Sequence, residues 1–321
     1  MTAYEMETVP EIGRRRLLKA AVAGAGATVA GVAASAPVRS AQAAVVVQRK
    51  RILYGAMHSI YPSWVTNAPS PGQKNSERRF FDAVNLIPKD WTTAACNSNY
   101  VTISIRPNPD DLLTGNTIPD NGSGFTTLDG QITHFLGTCP TGVELTCWHE
   151  AQNGNPRHYP ANITIANIQA IHDHVQKICS STPTADGGRV GYGCILTGPV
   201  GTNAEWLGRG LDWYGIDIYD GPHFQYPNGN LNRDAITGRM HRNVYSWLAA
   251  AGRPTVTFRI TETNSANNNH RKNWMLWLSQ WMAENHGKRM ITFWGGPASG
   301  TWPPSQAVLD YYRTLQDLYG A

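Results

Sequence analysis

Two glutamates close β-rich runs of this chain and can do acid–base or nucleophilic work. Glu150 ends the run Val-Glu-Leu-Thr-Cys-Trp-His-Glu at 143–150, and Glu262 ends Thr-Val-Thr-Phe-Arg-Ile-Thr-Glu at 255–262. A carboxyl pair facing across one groove suits cleavage of a glycosidic bond. One member must be protonated to help the leaving oxygen depart, and the other must be ionised to attack the anomeric carbon. A gap of about 5–5.5 Å gives retention, and one of about 6.5–9.5 Å admits water and gives inversion. An arginine or tyrosine beside the nucleophile keeps it ionised, and burial keeps the acid protonated. Arg106 and Tyr219 are suited to the first task and Trp148 to the second.

Such groups need a scaffold that brings distant segments to one mouth. After residue 44 the chain alternates short β-rich runs with amphipathic helical runs. Strands are expected at 52–57, 100–106, 143–150, 189–196, 211–220, 255–262 and 288–294, with the weakest, at 79–85, completing eight. In 100–106, Val101, Ile103 and Ile105 share one face, and Thr102, Ser104 and Arg106 share the other. Helices are expected at 163–180, 233–251, 271–286 and 305–319. Regular alternation implies parallel strands with right-handed crossovers. No GxGxxG follows the first strand, which removes the usual sign of a dinucleotide fold. The expected class is α/β, a single-domain (β/α)8 barrel over 44–321, with 107–127 and 221–230 as long loops that wall a cleft.

In such a barrel the active groups sit where strands end. Those ends supply His58, Arg106, His149, Glu150, Asp217, Tyr219, Glu262 and Trp294. Other roles are open to several of them. Glu150 could be a rim carboxylate paired with an arginine, Asp217 a buried hydrogen-bonded carboxylate, and Tyr219 a core tyrosine. Strict alternation sets Glu262 with Ile260 and apart from Arg259 and Thr261, unless a bulge re-aims it. His149-Glu150 does not continue as the zinc motif H-E-x-x-H, because Asn153 stands at the fifth position. His172 and His174 do not share a helix face and are expected to be solvated. Trp274, Trp277 and Trp281 follow helical spacing, as a packing stripe does.

The order of these motifs resembles clan A of the glycoside hydrolases, in which glutamates end the fourth and seventh strands. Within the clan, Trp148-His149-Glu150 followed by Asn153-Gly154 is similar to glycoside hydrolase family 26. That family contains mostly endo-β-mannanases, with some enzymes acting on xylan or mixed-linkage β-glucan. Asp217-Ile218-Tyr219-Asp220, Ile260-Thr261-Glu262-Thr263 and Phe293-Trp294 resemble its sixth, seventh and eighth strands. The resemblance spans roughly residues 51–320. It implies Glu150 as acid/base and Glu262 as nucleophile, His149 and Tyr219 as their supports, and Trp294 as a platform under a sugar. His58, Arg106 and Asp217 join these as candidate substrate contacts. The family's tryptophan-rich segment after His-Glu is replaced by Ala151-Gln152-Asn153-Gly154-Asn155-Pro156, so the wall that reads the sugar differs. Acids, bases and water suffice for this chemistry, and no cofactor or metal is expected. The alternatives are an inactive carbohydrate-binding barrel and a barrel hydrolase of another family that uses Asp217.

Composition agrees with a folded, sugar-facing protein. Charged residues make up 16% of the chain, while Trp and Tyr number 11 and 13. Arg14-Arg15-Arg16 precedes a run rich in Gly and Ala from Ala20 to Ala34, and Ala41-Gln42-Ala43 supplies an Ala-x-Ala site. This pattern reads as a twin-arginine signal over 1–43, cleaved after Ala43. The remainder is near neutrality, so neither nucleic acid nor an anionic membrane is an expected partner. The expected partner is a polysaccharide, and the mature chain is expected to be exported and monomeric. Its five cysteines show no CxxC spacing. Cys139 and Cys179 are the pair considered for a bridge.

Overall fold

Eight strands follow one another around a closed barrel. Each lies parallel to its sequence neighbours, and the first pairs with the last. The computed structural model describes residues 52–57, 75–94, 96, 100–151, 161–197, 204–217, 257–263, 268–285, 289–293 and 306–320. All of them lie in one compact unit, Val47–Ala321. The signal expected at 1–43, the helix expected at 233–251 and the loop at 221–230 lie outside the described residues.

The strands are β1 (Leu53–Met57), β2 (Asn75–Val84), β3 (Val101–Arg106), β4 (Glu144–Cys147), β5 (Gly191–Thr197), β6 (Trp213–Asp217), β7 (Thr257–Glu262) and β8 (Arg289–Phe293). The described helices are α1 (Pro109–Thr114), α2 (Leu128–Thr138), α3 (Ile165–Ser181), α4 (Asn268–Asn285) and α5 (Gln306–Tyr319). Side-chain caps set three helix starts, as isolated helix ends require. Asn108 accepts from the Asp110 N–H at 2.9 Å, Thr127 from Gly130 at 3.2 Å, and Thr164 from Asn167 at 3.2 Å.

The chain departs from expectation in several places. The segment 107–127 is not all loop, because Pro109 and the Asn108 cap start α1 and Gly115, at φ 69°, ends it. The helix α2 was not expected, although Leu128, Ile132, Phe135 and Leu136 lie buried at helical spacing. The strand β2 is longer than its weak pattern because it carries charge on both faces. Glu77 and Arg79 pair at 3.0 Å while buried, and Arg78 between them points into the barrel. His172 is not solvated, as described below. The five cysteines are free thiols, so Cys139 and Cys179 form no bridge.

Alternation divides the barrel wall between two environments. On β3, Val101, Ile103 and Ile105 join the apolar layer under the helices, while Thr102, Ser104 and Arg106 meet polar partners inside. Trp213 of β6 fills the lower interior. The glycines of β5 make its room: a Cβ at Gly193 would overlap the Trp213 indole. The Arg259 guanidinium lies 4.5 Å from the Trp213 ring and donates to Glu144, joining β7 to β4 across the interior. On the outer side of β5, Tyr192 meets His172 of α3, whose Nδ1 lies 2.7 Å from the Tyr192 hydroxyl. Trp274 of α4 stacks on Trp277 with ring centres 5.1 Å apart, and its Nε1 donates to Thr263, as a packing stripe should.

Two measurements check this packing. Gly193→Ala forces a methyl into the Trp213 ring, so it should lower stability by about 1–3 kcal/mol. A Trp213→Leu second change should return part of that loss, read as melting temperature. The second measurement concerns His172, which burial pushes down to about 3 from an ordinary value of 6.5. The folded chain keeps it neutral while the unfolded chain takes up a proton below about 6.5. Its share of stability is therefore complete above that pH and falls by roughly 1.4 kcal/mol per pH unit towards pH 3. Urea unfolding across pH should show a shallower acid slope in His172→Gln than in the parent.

Candidate active site

The strand β4 stops at Cys147, three residues before Glu150. The next residues turn sharply: Trp148 has φ 49° and Glu150 has φ 57°, both in the left-handed region. For residues with a Cβ this backbone is strained by about 1–3 kcal/mol each. Hydrogen bonds to both neighbouring strands hold it. Trp148 N–H donates to Ile105 O of β3 at 3.0 Å, and Glu150 N–H donates to Ile195 O of β5 at 3.0 Å. The Trp148 indole is buried and donates to Pro107 O at 2.6 Å. Glu150 thus leaves the strand at the barrel's C-terminal mouth, half-buried. The expectation that the strand runs to Glu150 is corrected by these turns.

His149, between the two strained residues, is fixed on three sides. Its Nδ1 lies 2.6 Å from Ser104 Oγ, and its ring centre lies 4.6 Å from that of Phe80. Arg106 Nη2 approaches Nε2 at 3.5 Å. A guanidinium only donates, so Nε2 is the acceptor and Nδ1 carries the proton toward Ser104. Burial first, then Arg78 and Arg106, hold His149 well below the ordinary histidine range. It is a neutral imidazole of one tautomer beside Glu150. Arg106 itself pairs with Asp82 at 3.2 Å and lies 5.8 Å from the Trp148 ring. It therefore belongs to the Glu150 side of the mouth.

The end of β7 carries a bulge. Ile260 stands opposite Ile216, yet the next residue of β6, Asp217, stands opposite Glu262. Thr261 is the extra residue, and the position of Glu262 comes level with Asp217. Asp217 is 0% exposed and points into the barrel. It accepts from Arg78 Nη1 at 3.0 Å and from Thr261 Oγ1 at 2.7 Å. Burial pushes its carboxyl up, against the opposing pull of Arg78 and Thr261. This is the arrangement of a buried hydrogen-bonded carboxylate.

His149, Glu150 and Arg106 thus come together around the end of β4, and Asp217 lies with Arg78 and Thr261 beneath the end of β7. His58, Tyr219 and Trp294 lie outside the described residues. Sequence reasoning did not single out Ser104, Phe80, Arg78 or Thr261 as site residues. For Ser104 the signal was present, since it shares the inward face with Arg106. Among the described residues no group of three or more His, Cys, Asp or Glu could hold a metal ion.

No protein-family model matches the chain, and no curated protein matches it in sequence. Solved structures do match. The catalytic domain of a GH26 endo-β-1,4-mannanase from Bacillus sp. JAMB-750 aligns with TM-score 0.52 at 15% identity, over 83% of this chain and 86% of that one. A GH39 enzyme from Xanthomonas axonopodis pv. citri aligns with TM-score 0.53 at 14% identity, over 86% of this chain and 67% of that one. At such identity the likeness is one of architecture: the chain has the (β/α)8-barrel fold of these glycoside hydrolases and resembles them in it along most of its length.

Proposed function

We propose that this protein is an exported glycoside hydrolase that cleaves a β-linked polysaccharide with retention, Glu150 acting as acid/base and Glu262 as nucleophile. The observation that carries the proposal is that Glu150 follows the end of β4 and Glu262 is the last residue of β7, both at C-terminal strand ends of one barrel. Neutral His149, locked by Ser104 and Arg106, supports the acid/base side. The bulge at Thr261 supports the other, because it breaks strict alternation and brings the position of Glu262 level with Asp217, an inward residue of β6. Trp294 is the proposed sugar platform, with Tyr219, His58, Arg106 and Asp217 as the further contacts.

The mechanism follows from these roles. The Glu262 carboxylate attacks the anomeric carbon as the Glu150 carboxyl protonates the departing oxygen, forming a glycosyl ester. Glu150, now ionised, takes a proton from water, which hydrolyses the ester and restores both groups. The polysaccharide proposed first is β-1,4-mannan, because the Bacillus neighbour is a β-1,4-mannanase. The arginine-led segment before Ala43 supports export.

Hydrolysis of mannan, xylan, mixed-linkage glucan and β-1,3-glucan, read by reducing ends, identifies the substrate. Glu262→Ala should reduce kcat/KM about 10⁴-fold or more on all substrates, while Glu150→Ala should spare glycosides with a good leaving group. Azide should restore both variants, giving the α-glycosyl azide with Glu262→Ala and the β-glycosyl azide with Glu150→Ala. Full hydrolysis of the polysaccharide by either variant rules out the pair. Sugar binding without hydrolysis in the parent points to the carbohydrate-binding alternative.

A further inference from the structure

The bulge in β7 raises a question of hydrogen bonding. An extra residue takes a carbonyl out of the regular ladder, and a buried carbonyl needs another donor. Here the donor comes from across the barrel. Arg78 of β2 donates from Nη1 to Thr261 O at 3.0 Å. The same nitrogen donates to Asp217 Oδ1 at 3.0 Å, and the Thr261 hydroxyl donates to that oxygen at 2.7 Å. Arg78 and Asp217 are both 0% exposed. One guanidinium therefore grips the backbone of the bulged residue and the carboxylate beside it.

We infer that Arg78 is a positioning residue: by holding the Thr261 carbonyl and Asp217 together it sets the backbone from which Glu262 departs. The inference rests on the proposed role of Glu262. Arginine is the residue for this task because its charge is permanent and its planar fork is rigid. Lysine supplies a point charge that can neutralise Asp217 without defining the angle between two acceptors. Gly215 fits the same design, since a Cβ there would overlap the Thr261 side chain and push the bulge outward. Phe80 extends it: its ring centre lies 4.4 Å from the Arg78 guanidinium and 4.6 Å from the His149 ring. The side chain that holds the end of β7 thus also rests on the ring that backs the acid/base side.

The experiment labels the full chain with 2,4-dinitrophenyl 2-deoxy-2-fluoro-β-mannobioside, or its counterpart for whichever glycan the parent hydrolyses. Parent, Arg78→Lys and Arg78→Met are compared for labelling rate, labelled residue, affinity for the unreactive disaccharide and melting temperature. The parent should be labelled on Glu262. Arg78→Met should slow labelling about a hundredfold, the scale of a 1 Å misplacement, with disaccharide affinity within about threefold. Arg78→Lys should stay folded at the parent's melting temperature and label roughly tenfold slowly. Labelling of either folded variant at the parent's rate overturns the role of Arg78 and leaves the assignment of Glu262 standing. If Arg78→Met unfolds, Arg78→Lys decides alone: slowed labelling in the folded chain supports the role, and unchanged labelling or unfolding overturns it. Labelling of another residue in the parent overturns the assignment of Glu262, and this inference with it.

Discussion

Charges sealed inside a narrow barrel must find opposite charges there, because water cannot reach them. Burying an ion without a partner costs several kcal/mol, and removing one member of a buried pair costs about 3–5 kcal/mol. Two such pairs brace this interior. Glu144 joins β4 to β7 through Arg259, and Asp217 joins β6 to β2 through Arg78. Both pairs link strands that are not neighbours in the sheet. They fix the relation of opposite walls, which ladder hydrogen bonds between adjacent strands do not do directly. The lower pair ties the two strands that carry the candidate glutamates, and the upper pair lies against the bulge that precedes Glu262.

Braced walls allow strain at the rim. Trp148 and Glu150 adopt a backbone that side chains disfavour, and two of their N–H groups still reach carbonyls on β3 and β5. The turn keeps the sheet's hydrogen bonding while ending its regular alternation. A strand continued through 148–150 would alternate side chains strictly between the two faces of the wall. The observed turn instead buries Trp148, wedges His149 between Ser104 and Phe80, and leaves Glu150 half-buried at the mouth. Local strain of a few kcal/mol is tolerable where neighbouring strands over-determine the path, and such strain gathers at functional sites.

How far the sequence could be read follows from the same physics. Strands with an apolar outer face, such as β3, declared themselves by alternation. The strand β2 did not, because Glu77, Arg78 and Arg79 break the pattern, and the partner of Arg78, Asp217, lies across the barrel. Burial of His172 was hidden for a similar reason: its partner, Tyr192, lies on another element. The locations of His149, Glu150 and Arg106 were legible as strand ends. The devices that aim them were not. Left-handed residues at Trp148 and Glu150, and the extra residue Thr261, are backbone departures that hydrophobic periodicity does not record. Strict periodicity reads wrongly at the end of β7 because the register changes there.

Glu77, Glu144 and Glu150 illustrate how position decides use. Glu77 is buried in the wall and engaged with Arg79, and Glu144 is buried in the interior and engaged with Arg259. A proton donor for a polymer must meet a bulky substrate and then regain its proton from water. Neither sealed carboxylate can do both, and removing either would leave an arginine buried without its charge partner. Glu150 differs in being carried past the last residue of β4 onto the open end of the barrel, next to a histidine that is neutral by burial. A neutral neighbour adds no positive charge beside Glu150, which suits the proton-donor role proposed for it. The buried pairs below supply rigidity, and the strained rim above carries Glu150 past the strand to the open end of the barrel, where the proposed chemistry needs it.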